Sequence, residues 1–172
     1  MPVVSLKELG AKLPCGRCLL GLDLGEKTIG LALSDAGHII ATPMQTIRRG
    51  RFAADARTLQ RLIGEHDIAA LVIGLPVNMD GTEGPRCQST RAFADNLLGV
   101  FDIDIAFWDE RLSTAAVTRT LLEADVSRAR RRELVDKMAA AYILQGALDF
   151  LARAAADSTD DSGNPDTTGD GG

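Results

Sequence analysis

A chain of 172 residues that is 45% hydrophobic and 25% charged has enough apolar material for one full core and too much for intrinsic disorder. No apolar run approaches the roughly 20 residues of a membrane span. No basic segment followed by an apolar one opens the chain, so export and membrane roles are not expected and a reducing cytoplasm is. The net charge of −5 does not exclude a nucleic-acid partner. Five aspartates (Asp157, Asp160, Asp161, Asp166, Asp170) fall in the last 16 residues, and the rest of the chain carries 19 acids against 19 bases.

Residues 1–16 read as a lead-in with a helical turn over Ser5–Leu9. Cys15 and Cys18 have the spacing of a redox or zinc half-site, but no second Cys/His pair follows, which leaves two free thiols as the simpler reading. Strands are expected at 18–24, 28–34 and 38–47, joined by turns at Gly25–Lys27 and Asp35–His38 into an antiparallel meander. His38 and His66 have no metal-ligand company and read as surface residues. A helix follows over 51–65, with Phe52, Ala56, Leu59 and Ile63 at spacings of three and four. The run Ala69–Leu75 is apolar throughout, as in a strand buried on both faces, and Pro76 ends it. The turn-rich loop 76–84 leads to a helix over 85–98. A strand at 103–107 delivers Asp109, Glu110 and Arg111. Helices are then expected over 113–123 and 132–154, the second with Leu134, Met138, Ala141, Leu144, Leu148 and Leu151 along one stripe. The order β-β-β-α-β-α-β-α-α implies an α/β fold: a mixed sheet, antiparallel over its first three strands and parallel thereafter, flanked by helices on both faces. The domain spans 17–156, and the acidic tail 157–172 lacks the apolar content to bury a core.

Three acids stand at element ends. Asp23 lies inside an apolar strand, where an uncompensated charge costs several kcal/mol, roughly. Glu110 ends the last strand and Asp136 opens the last helix. Open α/β sheets gather their sites beyond the carboxyl ends of parallel strands, where the strands of Asp23 and Glu110 would be neighbours. Three carboxylates converging there would need cations between them, and hard oxygen donors suit Mg²⁺ or Mn²⁺. Such a cluster performs in-line phosphodiester hydrolysis. The alternatives are local: Asp136 complementing a helix dipole, or Glu110 pairing with Arg111 or Arg119. Arg128, Arg130, Arg131 and Arg132 precede Asp136, a cluster suited to phosphates. Lys27 could steady a phosphate near the acids. GLDLGEKT is not a phosphate-binding P-loop. Three residues lie between its glycines instead of four, Glu26 precedes the lysine, and a strand follows.

Four segments, GLDLGEKTIGLALSD (21–35), VIGLPVNMDGTEG (72–84), WDERLSTAAV (108–117) and VDKMAAAYILQGALD (135–149), together resemble the YqgF/RuvX family of RNase H-like proteins. Members of that family are described as Holliday-junction resolvases and as nucleases that mature the 5′ end of pre-16S ribosomal RNA. The resemblance implies an RNase H-like fold and metal-binding, catalytic acids Asp23, Glu110 and Asp136. It also implies a substrate border made by Lys27, Asn78, Asp80, Gly81 and Arg111. Thr28 departs from the arginine that family members often carry after the lysine. The implied partner is structured RNA (pre-16S rRNA) or branched DNA, and the residues do not separate the two. A resolvase needs two active sites, hence a symmetric dimer. No dimer patch is evident, so a monomer or weak homodimer is expected. An inert scaffold of the same fold, binding nucleic acid during ribosome assembly without cutting it, is the rival from another class.

Overall fold

The computed structural model describes residues 3–112 and 128–160, with backbone alone for 128–134 and 160. Its centre is a five-stranded mixed sheet of β1 (Cys18–Leu24), β2 (Thr28–Ser34), β3 (Ala41–Arg48), β4 (Ile68–Leu75) and β5 (Asp104–Asp109), in the order β3-β2-β1-β4-β5. The first three strands form the antiparallel meander, and β4 and β5 run parallel to β1. The hydrophobic pattern explains who sits where. β1 and β4 are apolar at nearly every position and are buried on both faces in the middle of the sheet. β3 is half exposed and carries Pro43, which removes a ladder donor and belongs on an edge.

Helices α1 (Leu6–Lys12), α2 (Phe52–Glu65), α3 (Pro85–Leu98) and α4 (Arg128–Asp160) cover the two faces. On one face α2 and α3 bury Leu59, Leu62, Phe93 and Leu97 against Leu20, Leu22, Ile29, Leu71, Ile73 and Ile105. On the other, α4 lies across β1, β2 and β3, packing Ala140, Ile143, Leu144 and Leu148 against Leu19, Ala32, Val72 and Trp108. Gln145 ties α4 to the meander: its Oε1 accepts from Ala41 N–H and its Nε2 donates to the Ile39 carbonyl.

Three expectations change. The lead-in belongs to the core. Ser5 and Glu8 form a reciprocal capping box for α1, Leu9 is buried beneath α4, and Val4 N–H donates to the Ile105 carbonyl beside β5. The last helix runs from Arg128 to Asp160, past the expected stop at Ala154. Ala154, Ala155 and Ala156 are strong helix formers, and Ser158 Oγ donates back to the Ala154 carbonyl. β1 and β5 are not neighbours, because the fully apolar β4 lies between them. The expected helix over 113–123 lies outside the described residues. Among the described residues no helix is long and apolar enough to cross a membrane.

Candidate active site

Odd-numbered residues of β1 face α4: Leu19 joins the core there, and a Cβ on Gly21 would meet Leu144. Asp23 continues this row and is only 2% exposed. On one side it pairs with Gly30 of β2. On the other, the parallel register Leu22↔Ile73 carried one step further sets it beside Gly74 of β4. Asp23 is thus flanked by two residues with no side chain, each one strand spacing away, about 4.8 Å.

Those two gaps are where the other acids arrive. A Cβ on Gly30 would overlap the backbone carbonyl of Asp136, so α4 is seated directly on the sheet at this point. A Cβ on Gly74 would run into the Ile143 side chain and lie 2.7 Å from Glu110 Oε1, so Ile143 and the Glu110 carboxylate together occupy the space above β4. Glu110 itself opens a 3-10 turn (Glu110–Leu112) immediately after β5. The three acids therefore share one face of the sheet, at the carboxyl end of β1 and β4. Asp136 is buried, and Thr28 Oγ1 donates to its Oδ2. Thr28 is buried too, at the first position of β2. No three His, Cys, Asp or Glu side chains among the described residues are gathered as a ready metal cage. The donors around Asp23 are hard oxygens on a buried face, the chemistry Mg²⁺ and Mn²⁺ prefer.

Beside Glu110 lies the loop between β4 and α3. Asn78 N–H donates to the Thr82 carbonyl and Gly81 N–H to the Asn78 carbonyl, closing a tight turn in which Gly81 has φ of +90°. Asn78 Nδ2 donates to Thr82 Oγ1, while Thr82 N–H and Oγ1 both donate to Asp80 Oδ1. At the loop's far end Arg91 Nε donates to Glu83 Oε2 at 2.9 Å, and Arg91 stacks over Phe107. Arg111 comes within 3.6 Å of the position a Gly81 Cβ would take, and its guanidinium forks onto Asp109.

The Thr82 hydroxyl, then its N–H, hold the Asp80 carboxyl below its ordinary range, with a smaller contribution from Arg111. A depressed folded value means this contact stabilises the loop above the unfolded pKa of Asp80 and is lost as pH falls through the folded one. Thr82→Val, which removes the hydroxyl donor, is expected to move Asp80 up toward the ordinary carboxylate range. A carboxyl-carbon NMR titration reads this directly, and an unchanged midpoint would refute the assignment.

The structure thus brings Asp23, Glu110 and Asp136 to one face, with Asn78, Asp80, Gly81 and Arg111 at its rim. Lys27 is exposed in the β1–β2 turn. The helix of Arg128, Arg130, Arg131 and Arg132 leads into Asp136, and their side chains lie outside the described residues. Two groups carry more than sequence reasoning assigned. Arg49 braces the β1–β2 turn, its Nη1 donating to the Gly25 carbonyl at 2.6 Å and its N–H to the Lys27 carbonyl. Met79, 87% exposed, stands between the braced residues of the loop. Its signal in the sequence was a large apolar residue among turn formers. Cys15, Cys18 and Cys87 are free thiols.

The profile of the RuvX family, described as Holliday junction resolvase, matches residues 17–150. A protein of Paramagnetospirillum magneticum is 63% identical over 149 residues, covering 87% of this chain and 96% of the relative. One of Rhizobium meliloti is 52% identical over 165 residues, 96% of this chain and 100% of the relative. Both are named, provisionally, as pre-16S rRNA nucleases. Among solved structures, T. thermophilus RuvC in complex with Holliday junction substrate superposes with a TM-score of 0.50 at 11% identity, over 80% of this chain and 95% of that one. The likeness is one of fold, the RNase H-like mixed sheet. With the profile spanning most of its length and relatives at such identity, the chain belongs to the RuvX family of Holliday junction resolvase-like nucleases.

Proposed function

We propose that this chain is a divalent-metal-dependent endonuclease that hydrolyses phosphodiester bonds in structured nucleic acid, with the 5′ end of pre-16S ribosomal RNA as its leading substrate. The observation that supports the reading best is the pair of glycine gaps beside Asp23, which admit Glu110 over β4 and Asp136 over β2. The names carried by relatives at 52–63% identity favour the RNA substrate. The family description and the RuvC-like fold favour a second reading, a Holliday junction resolvase working as a symmetric dimer.

Asp23, Glu110 and Asp136 would hold Mg²⁺ or Mn²⁺, which when bound supplies an activated water and stabilises the leaving oxygen. The chain's own residues do the rest. Lys27, exposed in the β1–β2 turn, and Arg111, paired with Asp109 beside Glu110, would supply the positive charge for the phosphate backbone. Arg128, Arg130, Arg131 and Arg132, a cluster whose charge suits phosphates, would make binding salt-sensitive. Thr28 positions Asp136 by donating its hydroxyl to the Oδ2 of that carboxylate.

Thr28→Val is therefore expected to weaken metal-dependent activity roughly 10–100-fold, the range typical of losing an outer partner of a metal ligand. Thr28→Ser restores it. Titrating the metal separates this role from a merely structural one, because the loss should appear as a raised metal requirement. An unchanged requirement in Thr28→Val removes the positioning role.

The functional reading is tested by offering labelled precursor rRNA and a four-way DNA junction side by side, in Mg²⁺, Mn²⁺ or EDTA. RNA cleavage abolished by EDTA supports the leading substrate. Junction cleavage alone selects the resolvase. Binding of both without cleavage of either moves the protein to the non-catalytic class.

A further inference from the structure

The loop between β4 and α3 spends its polar side chains on itself. Asn78 donates to Thr82, and Asp80 accepts twice from Thr82, so these groups are engaged in bracing rather than turned outward. The Glu83–Arg91 pair fixes the far end, and Gly81, in its left-handed conformation, brings the tip beside Arg111. What this bracing holds out is Met79, the most exposed large hydrophobic side chain among the described residues at 87%. A mobile loop could fold such a side chain back onto the protein. This loop is held by its own hydrogen bonds and keeps the thioether in water.

We propose that Met79 is an apolar wedge, which inserts against a base pair at the end or branch of the nucleic-acid helix held at the acid site. The inference rests on the nuclease reading above and adds how the substrate is recognised. Three observations favour bases over a protein surface as the occupant. Arg111 stands beside the loop tip, and its guanidinium, held in place by Asp109, could meet the phosphate next to an opened base step with its remaining donor. Glu110, one residue before Arg111, is on the face that would do the cutting. A single unbranched apolar side chain on a fixed support has the shape of the Met, Leu and Phe wedges that unstack base steps, whereas a protein interface buries a broad patch. Helix ends and branches are the cheapest places to unstack, so the wedge selects structured ends over uniform duplex.

The test uses the full chain carrying Asp23→Asn, so that the substrate stays whole. 2-Aminopurine is placed at the branch of a four-way DNA junction and at the terminal pair of an RNA hairpin. Binding is expected to raise its fluorescence, reporting unstacking. Met79→Ala is expected to abolish the rise and weaken binding about tenfold, the scale of losing a buried Met contact. Met79→Leu, which keeps an apolar wedge, retains most of both. The thermal midpoint should not move, because the side chain packs on nothing. If Met79→Ala binds as tightly and unstacks as well as its parent, the wedge is overturned while the nuclease reading stands. That result would also be the one expected were Met79 the anchor of a protein partner. If the parent binds neither nucleic acid, the nuclease reading fails and the wedge fails with it.

Discussion

Gly30→Ala is expected to cost about 3 kcal/mol or more, at the upper end of what overpacking a tight interface does. The added methyl would overlap the Asp136 carbonyl. A backbone atom cannot rotate away as a side-chain tip can, so α4 has to lift from the sheet. The lift would draw Leu144 and Ala140 off β1 and carry Asp136 away from Thr28 and Asp23. For a domain of this size the loss corresponds to a fall in thermal midpoint of roughly 6–12 °C. Gly64→Ala is the control. Nothing lies within 4 Å of its would-be Cβ in α2, and the change is expected to be neutral or to stabilise by up to about 1 kcal/mol. Chemical denaturation of the two variants beside the parent measures the contrast. A Gly30→Ala protein within 1 kcal/mol of the parent, roughly, would mean that α4 is not seated on β2 in this way.

Asp23→Asn has the second large effect, on catalysis. The amide matches the carboxylate in shape, so β1 and its glycine neighbours keep their packing, and circular dichroism and nucleic-acid binding should be preserved. What is lost is the negative oxygen donor at the centre of the three acids. The expected fall in cleavage exceeds the roughly 100-fold upper range for losing an outer-shell partner. It should not be recovered by raising Mg²⁺ or Mn²⁺, in contrast to Thr28→Val. Single-turnover cleavage across a metal titration reads both. Activity within a few-fold of the parent would falsify a catalytic role for Asp23 and leave the buried acid as a structural group.

Much of this was written in the chain itself. The alternation and length of apolar runs placed all five strands, with the third expected at 38–47 and observed at 41–48, and the run at 69–75 was legible as buried on both faces. Asp23 stood out by sequence because a carboxylate inside such a run needs a purpose. Glu110 and Asp136 were legible as acids at element ends, and the four matching segments tied them to one family.

Tertiary structure decided what depends on which elements touch. No local pattern says that β4 separates β1 from β5, because strand order is set by which strands must be covered on both faces. Nor does one say that Leu9 is core, since a leucine in a seven-residue helix is buried only if a longer helix lies over it. Gly30 and Gly74 look like ordinary strand glycines in sequence. Their role appears only when the Asp136 backbone and the Glu110 carboxylate are seen to fill the space that a Cβ would take. Thr28, read as a missing arginine, became the donor to Asp136 through a contact between residues 108 apart. Sequence determined the elements and the chemical kinds of residue, because hydrophobic period and turn chemistry are local. The site itself came from packing, because a carboxylate's neighbours are set by how closely a helix can approach a sheet, and that distance was fixed by the side chains that are not there.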